Sequence, residues 1–83
     1  MRDPRKEPRD NDTLIVGQLV TVVRRKSLYG HTNIHYIVVT DRPDVERSAN
    51  IKEWVELYKD ATIIALEGKR LTDKEDKQLN GGK

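Results

Sequence analysis

The sequence contains no cysteine, only three prolines and a single tryptophan in 83 residues. Without cysteine there is no disulfide staple, no thiolate nucleophile and no cysteine-ligated zinc. An oxidising compartment then offers no advantage, and the cytoplasm is the expected location. Apolar residues are also scarce, 35% against 36% charged, so one domain with a small core and marginal stability is expected. No apolar run approaches membrane-spanning length, and the opening MRDPRKEPRD is charged and broken by proline. Neither membrane insertion nor secretion is expected from it. A large surplus of one charge is missing too: the net charge is +2, and the acidic and basic residues between Asn11 and Leu66 balance. A dedicated duplex-binding protein carries a basic stripe that neutralises several phosphates, and the one dense basic cluster here is Arg24, Arg25 and Lys26.

What is present is a series of short β-branched runs separated by turn formers. Residues 13–16, TLIV, end at Gly17 and predict a first strand; residues 19–25, LVTVVRR, predict a second. The segment SLYGHTN that follows predicts a loop centred on Gly30. Residues 34–40, IHYIVVT, carry the strongest strand pattern, with Ile34, Tyr36 and Val38 on one face and His35, Ile37 and Val39 on the other. DRPD, residues 41–44, predicts a turn, since Pro43 cannot donate to a ladder, and residues 45–49 predict a weak fourth strand.

Asn50 is a good N-cap and Glu53 stands three residues later, so a helix is expected to start at Ile51. Ile51, Trp54, Val55 and Tyr58 then follow the spacing of one buried face, with Lys52, Glu53, Glu56 and Lys59 pointing outward. Thr62, Ile63 and Ile64 lose χ1 freedom in a helix, so the break is placed near Asp60 and a fifth strand runs on towards Gly68. The expected fold is mainly β: a five-stranded SH3-like barrel with a short helix between strands four and five, which nearly closes and so limits its free edges. An OB-type barrel and a three-stranded sheet on one long helix compete with it. Residues 1–10 are expected to be an extended or disordered arm, 11–70 the domain, and 71–83 a disordered tail, because both ends are polar and the last closes on Gly81 and Gly82.

Several elements taken together carry a resemblance: Asp3-Pro4-Arg5, Pro8, Asp12-x-Leu14, Val16-Gly17, TVVRR, the Tyr36 strand, and Ile51-x-x-Trp54-x-x-x-Tyr58-x-x-Ala61-x-Ile63. They resemble a group of small phage and prophage proteins that begin Asp-Pro-Arg-x-x-Pro-x-x-Gly-Asp and end in a Trp-rich helix followed by Ala-x-Val/Ile. This chain has Asn11 where the group has Gly, Tyr58 where a second Trp is usual, and a longer loop around Gly30. The resemblance implies a phage or prophage origin and a small barrel-like domain. It implies no reaction, the group being largely of unknown function.

Candidate chemistry is sparse. His31 and His35 would share a ligand face on a helix, but across an extended segment they stand about 13 Å apart, too far for one zinc. Ser27 and Ser48 have no His-Asp order or strand-turn-helix elbow around them, and acid pairs such as Asp41 with Asp44 fit turn chemistry. No cofactor is implied and an enzyme is not expected. Trp54 and Tyr58 are assigned to the core, whereas Tyr29 sits in a loop that no core periodicity claims. Arg24, Arg25, Lys26, Tyr29 and His31 form the candidate binding patch, with a host or phage protein as the expected partner and single-stranded DNA or RNA as the alternative.

Overall fold

The computed structural model describes residues 2–26 and 33–81, with the backbone alone at Arg25 and Lys26. In chain order the elements are β1 (Thr13–Val16), β2 (Leu19–Lys26), β3 (Ile34–Val38), β4 (Arg42–Ala49), α1 (Ile51–Tyr58), β5 (Thr62–Leu66), β6 (Lys69–Arg70) and α2 (Asp73–Leu79). The strands form one antiparallel sheet in the order β4-β3-β2-β1-β5-β6. Five strands with a helix between the fourth and fifth match the expected sequence of elements. Strand β6 and helix α2 were not expected, and among the described residues no ladder joins the edges β4 and β6.

Period-two burial explains the sheet's inner face. Ile34, Tyr36 and Val38 are buried while His35 and Ile37 between them are half-exposed, so only one face of β3 is fully covered. The ladder shifts register between Val23 and Arg25, which leaves Arg24 unpaired and exposed. A larger irregularity separates β3 from β4: Tyr36 pairs with Arg47 and Val38 with Arg42. The turn expected at 41–44 therefore lies earlier, at 39–41, and Pro43 sits inside β4. An edge strand tolerates it because the missing N–H would face no neighbour.

Helix α1 begins as the capping box dictates. The Asn50 carboxamide oxygen accepts from the Glu53 N–H at 2.8 Å, and the Glu53 carboxylate accepts from the Asn50 N–H at 3.2 Å. Trp54 and Tyr58 are buried as expected, but Ile51 is 38% exposed, so the buried face is narrower than its spacing suggested. The ring of Trp54 lies 4.1 Å from that of Tyr58 and 5.4 Å, edge-on, from that of Tyr36. Around this cluster pack Leu14, Val23, Ile34, Ala49, Ala61, Ile63 and Leu79.

Residues of both terminal segments, 2–10 and 71–81, contact this core. Pro4 and Pro8 are fully buried, and the Trp54 indole N–H donates to the Pro4 carbonyl at 2.9 Å. The Arg5 guanidinium, braced by Asp3, donates to the carbonyls of Ala61 at 2.9 Å and Leu79 at 2.7 Å. At the other end Thr72 and Glu75 form a second capping box, and Leu79 seals the core beside Ile63. The Asn80 carboxamide pairs with Ile63 as a strand would, accepting from its N–H at 2.8 Å and donating to its carbonyl at 2.7 Å. In both segments polar side chains hold the chain in place by bonding to backbone groups.

Asn80→Ala removes both bonds to Ile63 and is expected to cost about 1–3 kcal/mol. Urea unfolding should show a lower midpoint with an unchanged slope; a midpoint equal to the parent's would mean that the tail adds no stability.

Candidate functional site

A groove of about 200 Å³ lies between the end of α1 and the inner face of β2, β3 and β4. Its lips are Leu19, the first residue of β2, and Leu57 of α1, which are 48% and 56% exposed. Leu57 falls outside the stripe that carries Trp54 and Tyr58, on the side otherwise occupied by Lys52, Glu53 and Glu56. The walls include Val16 and Val38, and the floor holds Thr21, Tyr36 and Tyr58.

The polar groups of the floor are arranged unequally. Tyr58 and Thr21 share a hydroxyl–hydroxyl hydrogen bond of 2.9 Å and satisfy each other. The Tyr36 hydroxyl has no such partner among the described residues, although the residue is only 7% exposed. No buried side-chain nitrogen or oxygen there is left unpaired, so this hydroxyl reaches the groove. Arg47 stands opposite Tyr36 in the ladder and thus on the same face, with one N–H donated to Asp41 at 3.0 Å. Burial pushes both phenols above the usual tyrosine value; at Tyr36 the Arg47 charge opposes that rise and the Glu53 charge adds to it, while at Tyr58 the hydrogen bond with Thr21 opposes it first and Arg47 second.

A second concavity of about 360 Å³ is lined by Arg2, Arg9, Lys69 and Arg70 together with Glu67 and Glu75. Most of its charge is already engaged. Arg2 forms a two-pronged pair with the fully buried Asp12, and Arg9 lies 3.2 Å from Glu67. The burial of Arg2 opposes its pairing with Asp12, but the hydrogen bond to that carboxylate prevails and holds the guanidinium pKa above its usual value.

The residues singled out from sequence are only partly placed. Arg24 is exposed at the β2 bulge, and the backbones of Arg25 and Lys26 pair with His35 and Ile34. Tyr29 and His31 lie outside the described residues. His35 stands 3.8 Å from Glu46 on the opposite face from Tyr36. Of the groove residues, Tyr36 was a candidate to stack on an unpaired base and Tyr58 was assigned to the core, while Leu19, Arg47 and Leu57 were not singled out. Leu57 carried a signal, an aliphatic residue breaking a charged helix face, whereas the meeting of Tyr36 and Arg47 depends on a ladder register that no local pattern encodes.

No protein family, curated protein or solved structure matches this chain.

The two phenols make the fold sensitive to alkali. Their folded pKa values lie above the ordinary value of 10.0, so the stabilisation from keeping them neutral is complete below about pH 10 and is lost as pH rises through the raised values. Absorbance at 295 nm should show two tyrosines ionising late, together with loss of near-ultraviolet circular dichroism. Early ionisation of all three tyrosines with the dichroism intact would contradict this packing.

Proposed function

We propose that this chain is a non-catalytic accessory protein of phage or prophage origin that acts in the host cytoplasm by binding a host or phage protein. The observation that carries this reading is the groove with Leu19 and Leu57 on its lips. Two large aliphatic side chains are held half in water beside a floor of phenols, apolar surface that a partner would cover. The charged groups drawn inward, Asp12 with Arg2 and Asp3 with Arg5, are spent on each other and on backbone groups, which favours binding over catalysis.

We read the sheet as an SH3-like small barrel. The order β4-β3-β2-β1-β5, with α1 inserted between β4 and β5, supports that reading. The phage resemblance gains a physical rationale. Asn11 has a φ of 66°, a conformation that glycine adopts freely and asparagine tolerates better than most, so an exchange between the two is understandable. Tyr58 fills the place of a second Trp by stacking on Trp54.

Leu57→Ser is expected to leave the melting temperature close to the parent's, since exposed substitutions seldom move stability beyond about 0.5 kcal/mol. It should also remove a nuclease-resistant partner captured by the tagged parent from a bacterial lysate. Undiminished capture by Leu57→Ser would exclude the groove as the contact surface.

Single-stranded nucleic acid is a second reading, favoured by the exposed Arg24 at the β2 bulge beside Arg25 and Lys26. It predicts micromolar or weaker binding of labelled single-stranded DNA with a shallow salt dependence, abolished in Arg24→Ala/Arg25→Ala. Equal binding by the double variant and the parent would remove it.

A further inference from the structure

The protein-binding reading leaves the partner's chemistry open, and the floor of the groove narrows it. The groove is a small concavity of about 200 Å³, open to solvent at its lips. It is lined by eight residues and takes side chains rather than a whole element of secondary structure. Its wall and lips are aliphatic, from Val16, Leu19, Val38 and Leu57. Its polar end offers donors: the Tyr36 hydroxyl, without a partner among the described residues, and the Arg47 guanidinium, which gives one of its five N–H groups to Asp41. Both Arg47 and Asp41 are about half-exposed, at 40% and 51%, so their pair is weak and shares its cation readily.

We infer that the groove takes a peptide segment presenting one aliphatic side chain beside a side-chain carboxylate, the aliphatic group between Leu19 and Leu57 and the carboxylate on Tyr36 and Arg47. This inference rests on the protein-binding reading of the same groove. A single cation with one hydroxyl donor suits a monoanion, whereas phosphorylated peptides are held by clusters of arginine. A chain-terminal carboxylate is captured by a nest of free backbone N–H groups. Here Thr21 and Val38 face each other within the β2–β3 ladder and the Val20 N–H is taken by the Thr40 hydroxyl, so the backbone offers no such nest.

The test uses the isotopically labelled full chain and two peptides blocked at both ends, acetyl-Ala-Leu-Glu-Ala-amide and acetyl-Ala-Leu-Gln-Ala-amide. The acidic peptide should shift the amide resonances of Leu19, Tyr36, Arg47 and Leu57 saturably in the millimolar range. The glutamine peptide should bind at least roughly tenfold more weakly, as expected for loss of a hydrogen bond to a charged group. Arg47→Gln should reproduce that loss with the acidic peptide, and Tyr36→Phe, which keeps the ring in the core, should weaken it severalfold. Equal binding of the two peptides, or tighter binding of acetyl-Ala-Leu-Gln-Ala with a free carboxyl terminus, would overturn the inference. So would shifts of the same residues on raising protein concentration alone, which would make a second copy the occupant. If neither peptide binds while Leu57→Ser still abolishes capture from lysate, the protein-binding reading stands and the carboxylate assignment falls; if capture is absent too, both fall.

Discussion

Burial of a single indole organises this molecule. Trp54 is fully enclosed, and in a domain of this length total stability is roughly 4–12 kcal/mol, of which a buried Trp accounts for about 3–5. The ring cannot be enclosed by apolar contact alone, because its N–H loses water and an unpaired donor costs about 1–3 kcal/mol. The Pro4 carbonyl supplies the acceptor. The segment that brings it is well suited to burial: Pro4 and Pro8 have no N–H of their own to satisfy. The N-terminal arm thus belongs to the core because the indole requires it.

Charged side chains then fix both ends of the chain where apolar area is insufficient. The fully buried Asp12 carboxylate accepts from the Arg2 guanidinium, from the Arg9 N–H at 2.7 Å and from the Glu67 N–H at 2.9 Å. It thereby ties the arm, the start of β1 and the β5–β6 turn into one unit. That turn has positive φ at both Glu67 and Gly68, the geometry of a tight hairpin, and Gly68 also donates to the Asn11 carbonyl. Arg5 does the equivalent work on the opposite side by bridging the carbonyls of Ala61 and Leu79. Removing the fully buried Asp12 carboxylate strips the Arg9 and Glu67 N–H groups of their acceptor, at about 1–3 kcal/mol for each such group kept from water, so these polar residues are structural.

That division explains how much was legible in the sequence. The strand Thr13–Val16, the Asn50 cap, the Trp54 face and the break near Asp60, between the end of α1 at Tyr58 and the start of β5 at Thr62, were readable because each rests on signals within a few residues. The packing of the termini was not, since Arg5 with Leu79, Asp12 with Glu67 and Asn80 with Ile63 join residues far apart in the chain. A hydrophilic tail reads as solvated unless its polar groups have known backbone partners. The same limit hid the groove: Leu57 stood out on its helix face, but Arg47 meets Tyr36 only because β4 runs from Arg42 to Arg47 while β3 advances from Val38 to Tyr36.

Both edges of the sheet are blunted by local chemistry. On one side β6 is only two residues long, and Asn80 occupies the backbone groups of Ile63 that another strand could use. On the other side β4 presents Pro43, an irregular ladder and the charges of Asp44, Glu46 and Arg47. Antiparallel pairing of β4 with a second copy about a two-fold axis sets Asp44 against Glu46, Glu46 against Glu46 or Arg47 against Arg47 in three of the central registers, where like charges repel; only the register that sets Asp44 against Asp44 offsets this by placing Glu46 against Arg42. Strand addition is therefore discouraged at both edges by local chemistry. The lips of the groove carry no such protection, since Leu19 and Leu57 are aliphatic and open to solvent, and Arg47 beside them is held by an exposed aspartate. The chain thus guards the backbone at both sheet edges while its most exposed aliphatic side chains, Leu19 and Leu57, stand beside the phenols of the groove.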